Sequence, residues 1–316
     1  MNVKKCALVV GIDNYTSSPL ASSINDAAAI AGILQTNADN SPNFHVKTAN
    51  NIKHRTHLIE AIEELFSKEM DVSLFYFSGH GYLDQTGGYI VTPDAKKYEM
   101  GVSMEMILGF VNRSPARSKI VILDCCHSGA FGERVSSQEK NSYLADGVTI
   151  LTASRKSESA MGTTTLSVFT RLLLEALKGG AAEIAGYITL GTIYSYIDQA
   201  LGPWHQRPVF KTNVSNFVVL RTETPSIPIN VLRQITVYFT AADQVYQLDP
   251  TYEHTNTDVA IPAKVAIFQD LKKMQTVGLL TVVEETELYW AAQHSTGCRL
   301  TALGMHYWRL INDYLL

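Results

Sequence analysis

The chain has 316 residues, 46% hydrophobic and 18% charged, which argues against disorder and gives enough length for one large domain plus a small one. Its formal net charge of −4 lacks the basic surplus that non-specific nucleic-acid or anionic-membrane binding needs. The apolar stretch before Gly11 and Asp13 is too short for a signal segment or a membrane span, and Cys6, Cys125, Cys126 and Cys298 show no framework spacing, so a cytoplasmic protein with reduced thiols is expected.

Taken in chain order, short apolar runs alternate with helical periods. "CALVVGI" (6–12) predicts a buried strand, "NDAAAIAGILQT" (25–36) a helix with Asn25 or Asp26 in its first turn, and "THLIEAIEELFSK" (56–68) an amphipathic helix. The strand "VSLFYFS" (72–78), the extended "GYIVTPD" (88–94), the helix "SMEMILGFVNR" (103–113) and the strand "KIVILD" (119–124) follow. The pattern continues with strand 148–154, helices 166–179 and 190–201, and a late strand near 208–212. Apolar strands separated by helices predict an α/β fold whose sheet is mostly parallel and covered on both faces.

Two prolines and several polar residues in "RTETPSIPIN" (221–230) predict a boundary, placed at 222/223. Residues 1–222 carry 20 basic and 20 acidic side chains and residues 223–316 carry 6 and 10, so the entire negative balance sits in the C-terminal piece.

In an open parallel sheet, functional groups gather at the carboxyl ends of the strands. Three polar stretches lie at such ends: "SSINDAA", "SGHGYLD" and "CCHSG". If the second and third strands that carry them are neighbours, the roughly 4.8 Å spacing of paired strands brings His80 within reach of a cysteine. An imidazole lowers a thiol's pKa and can later protonate a leaving amine, so a nucleophile and a base would share one rim. Gly79 and Gly81 let the backbone approach a substrate, and the amides of Gly81 and Cys126 are candidate oxyanion donors. The competing explanations are a packed thiol with a loop histidine, or a metal site built from Cys125, Cys126, His127 and His80. Consecutive residues rarely chelate one ion, and no C-x-x-C or H-x-x-x-H occurs, so no metal is assigned.

"YFSGHG" followed by "ILDCCHSG" resembles the caspase-like cysteine peptidases, and more narrowly metacaspases and related prokaryotic caspase homologues. "ALVVGIDNY…INDAAAI", "YIVTPDA", "ILTASRKSESA", "FTRLLLEALKGG" and "QRPVF" extend the resemblance over about residues 4–212. It implies a caspase-like three-layer sandwich with Cys126 as nucleophile, being the cysteine directly before His-Ser-Gly, and His80 as base. The two lie 46 positions apart, close to the separation in caspases. The resemblance further implies an acidic S1 pocket from Asp26, Ser78 and Asp124, which receives Arg or Lys. Two carboxylates in one pocket repel unless a cation enters, so a basic P1 residue gains binding energy and an acidic one is rejected. Without the resemblance, Asp26 reads as a helix-start cap and Asp124 as a strand-end turn. Cys125 reads as a packed small residue and His127 as a loop-structuring one.

The stretch 131–147 corresponds to the family's linker between large and small subunits and holds Arg134 and Lys140, the candidate autocleavage sites. No cofactor is required for this chemistry. No acidic calcium site matches residue by residue, and calcium dependence stays open. Protein or peptide substrates are implied. Stand-alone prokaryotic homologues with an added domain resemble latent effectors of antiviral or programmed-death systems that await a partner or a small nucleotide signal.

In the C-terminal piece, a helix ending near Gly278 runs into a strand. "ELYWAAQ" reads as a second strand, a Ser-Thr-Gly turn follows, and a last helix begins near Thr301 with Leu303, Tyr307, Leu310, Ile311 and Tyr314 on one side. This loosely resembles a winged helix. Its acidic balance argues against DNA and for a regulatory or partner-binding module at 223–316, with Tyr289, Trp290, Tyr307 and Trp308 either packed or lining a ligand site. A catalytically silent scaffold, using this piece for assembly or nucleic-acid binding, is the alternative function. The intact His80, Cys126, Asp26 and Asp124 argue against it.

Overall fold

A computed structural model describes residues 3–84, 87–96, 99–125, 143–153, 165–201 and 207–316. The chain forms two compact units, residues 1–224 and 225–316. Among the described residues no helix is long and apolar enough to cross a membrane.

The first unit is built on a six-stranded sheet. Its strands are β1 (Lys5–Gly11), β2 (His45–Thr48), β3 (Val72–Ser78), β7 (Ser118–Asp124), β8 (Val148–Thr152) and β10 (Val209–Asn213), in the spatial order β10-β8-β7-β3-β1-β2. All neighbours are parallel except β10, which runs antiparallel to β8. Every residue of β3 is buried, as expected of a central strand sandwiched between two helical layers. One face packs against α1 (Ser23–Gln35) and α4 (Val168–Glu175) through Ile30, Leu34, Phe169 and Leu173. The other packs against α2 (Arg55–Phe66) and α3 (Met104–Arg113) through Leu58, Ile62, Ile107 and Val111. These layers form the expected caspase-like α/β sandwich.

The remaining strands serve smaller roles. β4 (Gly81–Asp84), β5 (Gly87–Lys96) and β6 (Glu99–Ser103) make a separate antiparallel sheet beyond the end of β3. At Gly101, with φ +144°, a Cβ would lie 2.1 Å from the Ile90 carbonyl oxygen, so only glycine fits the crossing between β5 and β6. β9 (Tyr187–Thr189), which leads into α5 (Leu190–Leu201), pairs with β11 (Val219–Thr222). Lys5 fixes β11 to the main sheet by donating to the Val219 carbonyl and the Asn43 side chain.

The second unit contains α6 (Ile229–Leu232), α7 (Ile235–Tyr238), β12 (Val245–Gln247), α8 (Pro262–Thr276), β13 (Leu280–Val283), α9 (Leu288–Gln293), β14 (Gly297–Leu300) and α10 (Ala302–Asn312). Its sheet is antiparallel in the order β12-β14-β13, over a core that includes Phe239, Phe268, Leu271 and Cys298. Residues 288–293 form a helix rather than the strand read from "ELYWAAQ", because Leu288, Ala291 and Ala292 are the buried positions and share one helical face. A helix therefore separates β13 from β14 where a winged-helix hairpin would turn directly. α8 ends as expected, with Gly278 at φ +76°, and Thr301 caps α10 by accepting the Gly304 amide at 3.1 Å. The predicted apolar side of the last helix is only partly used: Tyr307 is buried, Leu303 is 42% exposed, and Tyr314 lies past the end of α10 and is 96% exposed.

Candidate active site

The parallel registers place Gly11 opposite Ser78 and Ser78 opposite Asp124. Three adjacent strands therefore end at one level. The chain beyond β3 carries Gly79 and His80, and the chain beyond β7 carries Cys125 and Cys126. His80 stands two positions past Ser78, at the carboxyl rim of the sheet. The ladder continues past the strand ends: Gly79 donates its amide to the Asp124 carbonyl at 3.3 Å.

His80 is gripped at three points. Its amide donates to the Tyr15 hydroxyl at 3.0 Å, and its carbonyl accepts the Val91 amide at 2.9 Å. Its Nε2 lies 2.7 Å from the Ser18 carbonyl oxygen. A carbonyl only accepts, so Nε2 carries the hydrogen, and in the neutral imidazole that tautomer leaves the lone pair on Nδ1. The Tyr15 ring packs against the imidazole with centroids 4.5 Å apart. Gly79 is required on the way in, because a Cβ there would lie 2.6 Å from the Tyr15 hydroxyl and 2.7 Å from the Phe77 ring.

The loop that supplies Tyr15 and Ser18 is held by Asp13, whose carboxylate accepts the Ser23 amide at 2.8 Å and the Ile24 amide at 3.2 Å. Asp13 thus satisfies the start of α1, the role that local sequence offers Asp26. Asp26 is released for another task and points into the protein, fully buried.

The aspartates and the serine named from sequence come together. The Ser78 hydroxyl donates to Asp26 at 2.9 Å. Ser167, the N-cap of α4, donates its amide to Asp26 at 2.9 Å and its hydroxyl to Asp124. The Thr170 hydroxyl donates to Asp124 at 2.6 Å and accepts from Tyr76 at 2.5 Å. The hydroxyls and the amide that hold the pair are neutral. Burial first, and then the charge of Asp124, push the Asp26 carboxyl up to about 7. Burial likewise raises Asp124, against the hydrogen bonds from Ser167 and Thr170. Two buried carboxylates without a cation hold protons more tightly than exposed ones do.

Gly81 opens β4 opposite Ile90. Cys125 is buried in the core beneath the site, the packed position read for it. Cys126, His127, Arg134 and Lys140 lie outside the described residues. Among the described residues no group of three His, Cys, Asp or Glu side chains could hold a metal ion. Of the four C-terminal aromatics, Tyr307 is buried and Trp290 is 45% exposed, while Trp308 donates its indole N–H to the Phe239 carbonyl at 2.5 Å.

Sequence reading did not find Tyr15, Ser18, Ser167 or Thr170. Ser167 carried one local signal, a serine just before a helical period, but nothing local announces which carboxylate it meets.

Comparison with known proteins agrees with this fold. The family model for the caspase domain matches residues 4–218. Caspase-1 from Spodoptera frugiperda superposes with a TM-score of 0.50 at 15% identity, covering 71% of this chain and 93% of its own. A protein from Geobacter sulfurreducens gives a TM-score of 0.50 at 19% identity, with 67% of this chain and 94% of that one covered. At such identities the likeness is one of fold. No curated protein matches the sequence.

Proposed function

Because the chain belongs to the caspase-domain family, whose members are cysteine peptidases, we propose that its first unit is a cysteine endopeptidase that cleaves after Arg or Lys. Cys126 attacks the substrate carbonyl, and His80 takes the thiol proton at Nδ1 and returns it to the leaving amine. The amides of Gly81 and Cys126 hold the oxyanion, and water then hydrolyses the acyl-enzyme with His80 as base. The observation that supports this reading is the register of Ser78 with Asp124, since in the sequence His80 and Cys126 each follow one of these strand-end residues by two positions.

The S1 assignment rests on the paired carboxylates. A P1 guanidinium or ammonium supplies a cation, which Asp26 and Asp124 lack among the described residues, whereas an acidic P1 side chain would add a third negative group. Ser167 bridges the two carboxylates, so a P1 cation reaches the pair by taking over hydrogen bonds that Ser167 now makes.

Residues 225–316 serve as a regulatory module that receives a partner or a small-molecule signal, and the whole acts as a latent effector in a prokaryotic defence or death system. The acidic charge of this piece supports a module that does not rely on phosphate contacts.

The test is cleavage of fluorogenic peptides with Arg, Lys or Asp at P1 by wild type and Cys126→Ala, with and without calcium and a cell extract. Cleavage after Arg or Lys that vanishes in the variant supports the reading, and dependence on extract supports a gate. Cleavage after Asp but not Arg would overturn the pocket assignment.

A further inference from the structure

Tyr15 belongs to no part of the dyad or the S1 pocket, yet it is the side chain most closely engaged with His80. It is buried, and its hydroxyl makes two directional bonds. It accepts the His80 amide at 3.0 Å and donates to the Val91 carbonyl at 3.3 Å. The Val91 amide in turn donates to the His80 carbonyl at 2.9 Å. The peptide units of His80 and Val91 are thereby closed into a ring with the phenol as one member. The Tyr15 ring meanwhile lies against the imidazole, and Ser18, three residues on, accepts from Nε2. One short loop therefore fixes His80 at the backbone, on the ring face and at the far nitrogen.

The loop itself does not float. Asp13 ties it to α1, the Asn51 side chain accepts the amides of Asp13 and Asn14 at 3.0 and 3.1 Å, and the Ile12 amide donates to the Ser78 carbonyl at 3.0 Å. Burial holds the phenol well above its usual pKa, so the hydroxyl keeps its hydrogen throughout the working pH range. A phenylalanine would keep the ring contact but leave the His80 amide and the Val91 carbonyl without this partner. With the Asp124 carbonyl accepting the Gly79 amide and the Val91 amide donating to the His80 carbonyl, the Tyr15 hydroxyl completes the set of bonds that direct His80 out of β3.

We propose that Tyr15 is a positioning residue for His80, holding the imidazole in a fixed orientation, and that its hydroxyl governs turnover rather than substrate affinity. This inference rests on the peptidase reading, in which His80 activates Cys126.

The test reads the dyad without needing substrate or activator. The rate of Cys126 alkylation by iodoacetamide is measured from pH 5 to 9, by mass spectrometry of the Cys126 peptide, in wild type, Tyr15→Phe and His80→Ala. In wild type the thiol reacts readily at neutral pH, and in His80→Ala its profile moves toward that of an ordinary thiol. Tyr15→Phe is expected to be slowed at pH 7 by roughly 3- to 30-fold, less than the ~100-fold that a full 1 Å misplacement can cost, with its profile displaced in the same sense as His80→Ala. A profile for Tyr15→Phe equal to wild type, with His80→Ala slowed, would overturn the inference and leave the dyad standing. Equal profiles for wild type and His80→Ala would overturn the dyad itself, and the inference with it.

Hydrogen exchange on the unmodified protein provides a measurement that does not depend on the variant folding. The His80 amide donates to the Tyr15 hydroxyl, so it is expected to exchange as slowly as the flanking β3 amides. Exchange at the rate of an open loop would contradict the clamp.

Discussion

Ser78 stands level with Asp124 across the parallel β3–β7 ladder, and Asp26 reaches that level from α1 by accepting the Ser78 hydroxyl. Hydroxyl and carboxylate are buried there, and His80, the proposed base, follows Ser78 by two residues. The proposed function requires that binding of a P1 side chain and reaction at the adjoining peptide bond share one strand end. On this arrangement His80→Ala should lower kcat/KM for an Arg-P1 peptide by about 10²–10⁴-fold, the usual contribution of a positioned acid–base group, with circular dichroism unchanged.

The buried carboxylates give stability a pH dependence of definite sign. The Asp26 carboxyl is raised to about 7 in the folded protein, from about 3.9 in an unfolded chain, so the folded state binds the extra proton between those values. Its contribution is present in full below about pH 4 and is lost as the pH rises through about 7. The thermal midpoint should therefore fall from pH 5 to pH 8, and Asp26→Asn should flatten that slope by on the order of 2–4 kcal/mol, checked by calorimetry across the range. A wild-type midpoint that rose over the same interval would count against a protonated Asp26.

A cation reverses that preference. If the Asp26–Asp124 pair receives a basic side chain, binding of benzamidine should strengthen as the pH rises from 5.5 to 8, because entry of the cation releases a proton from the pair. Calorimetry in buffers of different ionisation enthalpy would count that proton, and Asp124→Asn should weaken binding by roughly tenfold or more. Binding that is independent of pH would separate the pair from the cation.

Gly79 leads into the base with no room to spare. A Cβ there would meet the Tyr15 hydroxyl at 2.6 Å, so Gly79→Ala should destabilise the first unit by about 1–3 kcal/mol, the usual cost of overpacking, and should lower turnover because what must shift is the side chain that holds His80. Denaturant titration with matched kinetics checks both. Unaltered stability would mean that the loop at Tyr15 yields easily.

Much of the first unit was legible because its signals are local. The run 72–78 is mostly apolar and forms a strand buried on both faces, and the S-G-H-G stretch and Asp124 sit at strand ends, where register decides their neighbours. What sequence did not reveal is contact between distant segments. Ser167 meets Asp26 from 141 residues away and Asp124 from 43, and Tyr15 meets His80 from 65. No periodicity encodes such pairings. Asp26 was also read locally as a candidate cap, whereas Asp13, outside the helix, satisfies the amides of Ser23 and Ile24. In the second unit the error had a different source. "ELYWAAQ" is short enough for its apolar residues to suit either a strand or a helix, and the burial of Leu288, Ala291 and Ala292 decides for the helix.

The most direct test of a Cys126–His80 dyad beside a cation-accepting pocket is intact-protein mass spectrometry after incubation with peptidyl acyloxymethyl ketones bearing Arg or Asp at P1. The account predicts one adduct from the Arg reagent, mapped to Cys126, absent in His80→Ala and much reduced in Asp124→Asn. Labelling by the Asp reagent in preference to the Arg one, or labelling of Cys126 that is indifferent to His80, would contradict it.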